Sequence, residues 1–330
     1  MRRNIILIST ALAVVAVLAA SVIVLSNKGF AFSGVTVSGG ETPKLSVKEP
    51  EKLADEIKSG EAKLQIVSEG DGRKLQNNDY FSADYIIADG TDGSQLDSSF
   101  GTNATTGEPG TPAVFQFIDS AKSTTATAPG LPKSALEVLK DVKVGSKVIL
   151  GITAGDFFGD AVQQFGFEEA QPMLFYFDIT ASIDADTKTA PSGKKVDLPA
   201  GVPTPVVDGD TVTGVDGSAV TAPATEAVYP VIKGTGPKVE ADDYVYANYL
   251  GQVYPNGAVF DSSFERGAPS LFSLAGVIPC WTDMLTGQTV GSRVVLTCPA
   301  DVAYGDNPGE GSGIAPGDSL TFVVDIVGTL

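Results

Sequence analysis

Histidine is absent from this sequence, and only two cysteines occur among its 330 residues. The absence of histidine excludes Ser-His-Asp and Cys-His catalysis, together with the usual histidine-containing zinc sites. Two cysteines are too few for an all-cysteine zinc site. We therefore expect chemistry that uses no metal, no cofactor and no conventional catalytic base.

Basic residues are also scarce, because 22 lysines and arginines face 40 aspartates and glutamates. The formal net charge is −18. Nucleic acid and anionic lipid both present phosphates, which call for clustered Lys and Arg. The composition therefore argues against nucleic acid and lipid headgroups as partners. The length and the 43% hydrophobic content allow two domains of ordinary size, each with its own core.

The N-terminus combines a basic start with an apolar run. Arg2 and Arg3 precede residues 5–25, which are all apolar or small. Such a run is long enough to cross a bilayer, and the arginines would stay inside. A secretory signal has the same basic start but usually a shorter apolar part. Residues 1–28 are predicted as an uncleaved transmembrane anchor, with a cleaved signal peptide as the alternative.

Both interpretations of the N-terminus export the rest of the chain. The protein is therefore expected outside the cytoplasm, either anchored to the cell membrane through this helix alone or secreted after cleavage. Residues 29–62 are polar, include one short helix-like piece at 49–57, and are predicted as a stalk.

Comparison of the chain with itself reveals a repeat. Residues 79–85 and 96–100 align with 243–249 and 260–264, and residues 138–148 align with 284–294. This predicts two copies of one fold, over residues 63–183 and 227–330. Residues 184–226, rich in Pro, Gly, Thr and Val, are predicted as a linker with some extended structure.

The second copy contains five short blocks of sequence in a fixed order. They are Tyr249-Leu250-Gly251, Phe260-Asp261-Ser262-Ser263, Val277-Ile278-Pro279-Cys280-Trp281, Ala303-Tyr304-Gly305 and Leu320-Thr321-Phe322. Blocks of this kind, in this order, closely resemble the FKBP-type peptidyl-prolyl isomerases. Cys280 is a departure, because the family usually has Gly there.

Local patterns in the second copy predict the class of fold. Residues 244–250, 293–298 and 320–327 are aromatic or β-branched and are predicted as strands. Pro279 suits the first turn of a short helix, which would place Trp281 and Leu285 on one side. A twisted antiparallel sheet wrapped around that helix agrees with the resemblance. The predicted class is α+β, with one such domain in each copy.

The resemblance also implies an active site for cis-trans isomerisation of Xaa-Pro bonds. Trp281 would form the floor under the proline ring, Asp261 would lie near the twisting amide or position a neighbour, and Tyr304 would donate to a substrate carbonyl. The implied catalytic residues are Tyr249, Phe260, Asp261, Trp281, Tyr304 and Phe322, and the implied substrate-binding residues are Val277, Ile278 and, in a covering loop, Ile314. The implied partners are proline-containing unfolded or exported polypeptides.

Cys280 and Cys298 have two possible states. Exported thiols tend to be oxidised, and some exported relatives resemble this chain in carrying both cysteines, so a disulfide is one interpretation. Two buried free thiols are the other. Neither cysteine is expected to be catalytic, because no base is available to activate it.

The first copy differs at the implied pocket. Leu96, Ala135 and Phe158 stand where the second copy has Phe260, Trp281 and Tyr304. Loss of the indole removes the largest apolar surface of the floor, so the first copy is predicted to be inactive. The leading functional hypothesis is an exported peptidyl-prolyl isomerase that assists protein folding. The alternatives are a non-catalytic peptide-binding chaperone and a surface scaffold protein.

Overall fold

A computed structural model describes residues 30–101, 110–122, 127–186, 190–217 and 222–330. The predicted anchor or signal helix over residues 1–28 lies outside the described residues. Within the described ranges, no helix has both the length and the apolar character needed to cross a membrane. The chain divides into two compact units, Met1–Asp186 and Thr187–Leu330. Both units are mostly sheet with a few short helices, so the predicted α+β class is confirmed.

The second unit contains nine strands and two short α-helices in its described part. They are β10 (Lys194–Lys195), β11 (Thr204–Asp208), β12 (Thr211–Asp216), β13 (Ala227–Lys233), β14 (Tyr244–Val253), β15 (Val259–Ser262), α4 (Ser263–Arg266), β16 (Ser270–Ser273), α5 (Pro279–Leu285), β17 (Arg293–Cys298) and β18 (Leu320–Thr329). Single 3₁₀ turns follow β16 at Leu274–Gly276 and β17 at Ala300–Val302.

The main sheet of this unit is antiparallel and has the order β10-β13-β17-β18-β14-β15, with β16 also pairing with β14. Leu320, Phe322, Val324 and Ile326 alternate along β18 and point into one core. Helix α5 packs into the same core through its buried side chains, which include Trp281. The period of two along the strand therefore fixes which side of the sheet the helix covers.

Helix α5 begins and ends where its local sequence permits. Pro279 occupies the first turn of the helix. Backbone N–H groups in this turn have no acceptor within the helix, so a proline, which lacks the N–H, loses no hydrogen bond there. The helix ends at Leu285, and Gly287 follows with φ of +82°. A glycine adopts this left-handed conformation without the steric cost that a Cβ would impose.

The predicted linker contributes structure to the second unit. Strands β11 and β12 form an antiparallel hairpin whose Val212 and Val215 are buried against Leu250, Val295 and Val323. These three residues face away from the α5 side of the sheet. A sheet with apolar residues on both faces needs cover on both, and the hairpin supplies it.

Polar contacts hold this hairpin in place. The side chain of Gln252 accepts from Val215 N and donates to Val215 O, both at 2.9 Å. Arg293 is buried in a bidentate pair with Asp325, at 2.6 and 2.7 Å, and also donates to the carbonyl of Asp210 at 2.6 Å. The hairpin therefore belongs to the folded unit.

The first unit has nine strands and three α-helices in its described part. They are β1 (Val35–Ser38), β2 (Lys44–Val47), α1 (Pro50–Glu56), β3 (Lys63–Ser68), β4 (Tyr80–Asp89), β5 (Gln95–Ser98), β6 (Ala113–Asp119), β7 (Gly130–Leu131), α2 (Lys133–Leu139), β8 (Lys147–Thr153), α3 (Ala154–Phe158) and β9 (Pro172–Ile183). Its main sheet has the order β3-β8-β9-β4-β6-β7, with β5 also pairing with β4.

The pairings of this sheet correspond to those of the second unit. In the first unit β9 lies between β8 and β4, and in the second unit β18 lies between β17 and β14. Lys147 stands opposite Asp178 in the first unit, and Arg293 stands opposite Asp325 in the second. Each of these pairs is a salt bridge.

The stretch predicted as a stalk is folded onto the first unit instead. Helix α1 falls within the helix-like piece at 49–57, but it is not exposed on an extended chain. Phe32, Val35 and Leu53 are buried against the sheet residues Ile149 and Tyr176. The prediction of a stalk is corrected here, because the few apolar residues of this polar stretch converge on one face of the sheet.

Candidate functional site

An apolar cavity of about 390 Å³ opens in the second unit. Its lining residues are Tyr249, Phe260, Asp261, Phe272, Gly276, Val277, Ile278, Trp281, Tyr304 and Phe322. The volume is within the range of small-ligand sites, and apolar walls with a few polar groups are typical of such sites. Eight of the nine site residues predicted from the sequence are thus brought together here.

Trp281 forms the floor and is held by three aromatic neighbours. Only 4% of its surface is exposed. Its ring lies 5.6 Å from Tyr249, 5.0 Å from Phe272 and 5.4 Å from Phe322, with interplanar angles of 85°, 66° and 88°. Edge-to-face contacts of this kind each stabilise a pair by about 0.5–1.5 kcal/mol beyond burial. The indole is therefore fixed before any ligand arrives.

Phe260 and Phe322 form one wall, and a glycine makes their position possible. Their ring centroids are 5.7 Å apart at 87°. A Cβ at Gly251 would lie 2.5 Å from Cζ of Phe260 and 3.0 Å from Cε1 of Phe322. Any other residue at 251 would displace the rings, which explains on physical grounds why a glycine follows Tyr249-Leu250.

A polar network forms the side of the cavity near α4. The hydroxyl of Tyr249 donates to Asp261, and the guanidinium of Arg266 forms an ion pair with the same carboxylate. Arg266 also donates to the Tyr249 hydroxyl at 2.8 Å and lies 5.5 Å from the centre of its ring. The three side chains thus hold one another in place.

This network sets the protonation of its members. Burial opposes the charged carboxylate of Asp261, but the hydrogen bonds from Tyr249 and Arg266 outweigh it, so its pKa is lowered. Burial, followed by the hydrogen bond to Asp261, raises the pKa of Tyr249 to about 12. At neutral pH, Asp261 is therefore a carboxylate and Tyr249 a neutral phenol.

Tyr304 lies at the rim of the cavity and is 43% exposed. Partial burial and the charge of Asp261 raise its pKa, so the hydroxyl keeps its proton at neutral pH. Among the described residues, no hydrogen-bond partner occupies this hydroxyl. It is a donor available to a ligand.

A family model described as FKBP-type peptidyl-prolyl cis-trans isomerase matches residues 236–327. The chain is 40% identical over 107 residues to an FK506-binding protein of Streptomyces anulatus, covering 32% of this chain and 86% of that relative. The chain belongs to the FKBP-type peptidyl-prolyl isomerase family. The enzyme class is peptidyl-prolyl cis-trans isomerase, EC 5.2.1.8, whose substrates are proline-containing polypeptides.

Two further relatives match the same part of the chain. A probable FK506-binding protein of Corynebacterium glutamicum is 36% identical over 107 residues, covering 32% of this chain and 88% of the relative. An FKBP-type 22 kDa peptidyl-prolyl cis-trans isomerase of Escherichia coli is 41% identical over 95 residues, covering 29% and 45%. The chain thus spans less than half the length of the E. coli relative.

Ile314 does not line the cavity of this FKBP-type unit. It is half-buried and packs against the core around Trp281. The covering loop does reach the site through its neighbour, since a Cβ at Gly313 would lie 3.7 Å from Cβ of Phe260. The loop therefore lies against the wall, and contact of Ile314 with substrate stays a prediction.

Three residues of the FKBP-type site were missed by the sequence analysis. Phe272, on the four-residue strand β16, is an aromatic neighbour of Trp281 and lines the cavity. Gly276 lines it without a side chain. Arg266 is one of few cations in an acidic chain and follows Asp261 by five residues, which was the available signal.

Cys280 and Cys298 are joined by a disulfide, with their Cα atoms 5.8 Å apart. Both residues are fully buried. The bond connects the first turn of α5, next to Trp281, to the end of β17. Of the two states left open by the sequence, the structure contains the disulfide.

In the corresponding region of the first unit, buried phenylalanines pack on one another. Phe157 is stacked on Phe175 at 4.2 Å, and Phe158 packs on Phe167 at 5.5 Å. Tyr85 still donates to Asp97, at 3.0 Å. The polar pair of the FKBP-type site is therefore retained, while buried phenylalanines occupy its apolar core.

Proposed function

We propose that the second unit catalyses rotation of Xaa-Pro peptide bonds in exported polypeptides by binding the twisted amide in the 390 Å³ cavity. One observation carries the proposal. Trp281 is held edge-to-face by three aromatic rings under an open apolar space, with the free hydroxyl of Tyr304 at its rim.

Rotation about the Xaa-Pro bond depends on the shape and polarity of the cavity more than on proton transfer. Resonance gives the peptide C–N bond a rotation barrier of about 18–20 kcal/mol. Xaa-Pro bonds populate both isomers, yet they interconvert in tens to hundreds of seconds unaided. A catalyst must bind the twisted amide better than either planar form. The twisted amide has lost the charge separation of resonance, so an apolar cavity favours it over the planar forms.

The residues of the cavity divide these tasks. Trp281 would support the proline ring from below, and the side walls would exclude water from the amide; these walls are Tyr249, Phe260, Val277, Ile278 and Phe322. The Tyr304 hydroxyl would donate to a substrate carbonyl. A donor held by the protein favours one orientation of the peptide and needs no reorganisation as the bond turns.

Asp261 is assigned a positioning role. Its carboxylate is already engaged by Tyr249 and by Arg266. These contacts support the interpretation that it holds a neighbouring wall residue, in preference to direct contact with the twisting amide. Arg266 balances its charge, which lowers the cost of a carboxylate beside an apolar cavity.

We also propose that the first unit is a degenerate copy of the same domain without isomerase activity. The matching strand pairings support a tandem repeat. Phe157 supports the loss of activity, because its buried ring covers Phe175, the counterpart of Phe322. The alternative is a chaperone that binds peptides without catalysis. It would require an open site in one of the units, and peptide binding at that site would have to leave the rate of Xaa-Pro rotation unchanged.

Export completes the proposal. Residues 1–28 would place the rest of the chain outside the cytoplasm, with the membrane contacted through that helix only. The buried disulfide supports this placement, because structural disulfides persist in oxidising compartments.

Exchange NMR of a short Xaa-Pro peptide with the full chain tests the function. Phe260→Ala should lower kcat/KM, while Leu96→Ala at the corresponding position of the first unit should leave it unchanged. Circular dichroism would verify that both variants are folded. A folded native chain without activity would refute the enzyme, and equal losses in the two variants would refute the assignment to the second unit.

A further inference from the structure

The second unit is strongly acidic. Residues 190–330 contain sixteen acidic and only six basic side chains. Two of the basic residues are already paired, Arg266 with Asp261 and Arg293 with Asp325. The remaining four are lysines, so their location decides whether any cation is available to balance charge near the site.

The lysines of this unit lie at the far end of the sheet. Val228 pairs with Leu296, which pairs with Phe322 of the cavity wall. Lys233 lies five residues beyond Val228 on β13, which is about 17 Å from Val228 at the usual rise per residue. Lys194 stands opposite Lys233, Lys195 is next to it, and Lys238 lies beyond the strand.

Carboxylates, in contrast, lie on the loop that follows Tyr304 at the rim of the cavity. The loop that leaves Tyr304 returns at Gly313, which approaches Phe260 of the wall. Asp306 and Glu310 lie on this loop and are exposed, and neither forms an ion pair within the described ranges. These two carboxylates are therefore not neutralised by an ion pair with any described residue, whereas Arg266 is already engaged by Asp261.

A second set of acidic residues lies near helix α5, which carries Trp281, and near the 3₁₀ turn that precedes Tyr304. Asp283 follows Trp281 on α5, and Asp301 lies in the 3₁₀ turn after β17; both are exposed. The pKa of Glu226 is raised, mainly by burial and to a smaller degree by the negative charges of these two residues. The three carboxyl groups are thus close enough to interact.

We propose that this isomerase prefers prolines flanked by lysine or arginine. The inference rests on the proposed function of the cavity and specifies its substrate class. Like-signed charge around a cleft with low-dielectric walls raises the local concentration of oppositely charged ligands and repels those of the same sign. The effect should depend on salt, because the Debye length falls from about 30 Å at 0.01 M to about 3 Å at 1 M.

Three peptides test the preference directly. They share a Leu-Pro-Phe centre and carry Lys, Gln or Glu on both sides. With the full chain at 0.01 M salt, kcat/KM from exchange NMR should rank Lys over Gln over Glu, with about tenfold between the extremes. At 1 M salt the three values should converge to within about twofold.

Charge variants locate the effect. Asp306→Asn combined with Glu310→Gln should reduce the Lys-to-Glu ratio at low salt by about threefold. The matched control is Glu240→Gln with Asp242→Asn, which removes the same charge from exposed residues near Lys238 and should leave the ratio unchanged. Equal turnover of all three peptides at low salt, or equal effects of the two double variants, would overturn the preference. Turnover of none of the peptides would instead refute the proposed isomerase function.

Discussion

Replacing Arg266 by glutamine removes the cation that holds both Asp261 and Tyr249. Asp261 and Arg266 are 41% and 49% exposed, so solvent screens their attraction. Pairs exposed to this degree contribute about 0–1 kcal/mol to the free energy of unfolding. We therefore expect the melting temperature of Arg266→Gln to fall by less than about 4 °C.

The effect on catalysis should be larger than the effect on stability. Without the guanidinium, Tyr249 keeps its hydrogen bond to Asp261, but both side chains lose the contact with Arg266 that restricts their movement. A loss of about 0.7–1.4 kcal/mol of positioning corresponds to a decrease in kcat/KM of about three- to tenfold. Exchange NMR at fixed peptide concentration measures this decrease.

The pH profile separates positioning from a general loss of structure. The pKa of Asp261 is lowered in the folded protein, so its contribution is complete above the ordinary aspartate value of about 3.9 and disappears as pH falls through the folded value. Tyr249, with a pKa of about 12, stays protonated. The native kcat/KM should thus be constant between about pH 5 and 9. In Arg266→Gln the acid limb should move to higher pH.

The control for this experiment is Lys238→Gln, which removes one positive charge at the far end of the sheet. Its kcat/KM and acid limb should equal those of the native chain. The reasoning would be refuted by an Arg266→Gln enzyme that has native kcat/KM and a native acid limb, or by a control that shifts as much.

Three further outcomes are expected. Tyr304→Phe should lower kcat/KM by about three- to tenfold without a change in melting temperature, because the hydroxyl has no partner among the described residues; native activity would remove it from the mechanism. Phe157→Ala should destabilise the first unit by about 3–5 kcal/mol in calorimetry and leave isomerisation unchanged; a parallel loss of activity would contradict an inactive first unit. Val215→Ala should cost the second unit about 2 kcal/mol in urea unfolding, and an unchanged midpoint would show that the hairpin is not part of the cooperative unit.

Local sequence was sufficient for the elements that face the α5 core. Strand β17 has the predicted bounds, and alternation along β18 correctly predicted which of its residues share a face. These signals are readable because strand periodicity is encoded within a few residues. The aromatic residues of the cavity were identified differently, through the family resemblance of short blocks around Phe260 and Trp281.

Other features depend on contacts between distant segments. The apolar residues of the segments containing β1–β2 and β11–β12 show no long periodic pattern, and their burial is decided by the uncovered face of each sheet. Arg266 reaches Asp261 because α4 makes one turn and ends at Gly267, with φ of +77°. Phe157 was missed because its counterpart, Ala303, is small and suggests no role.

The hairpin β11–β12 decides where the isomerase unit can be separated from the rest of the chain. The match to the family model begins at residue 236, and a fragment cut there would leave Leu250, Val295 and Val323 facing water. Exposed apolar patches of this kind promote aggregation. A soluble, independently folding fragment should begin near residue 190, so the minimal domain of this protein is longer than the segment that matches the family model.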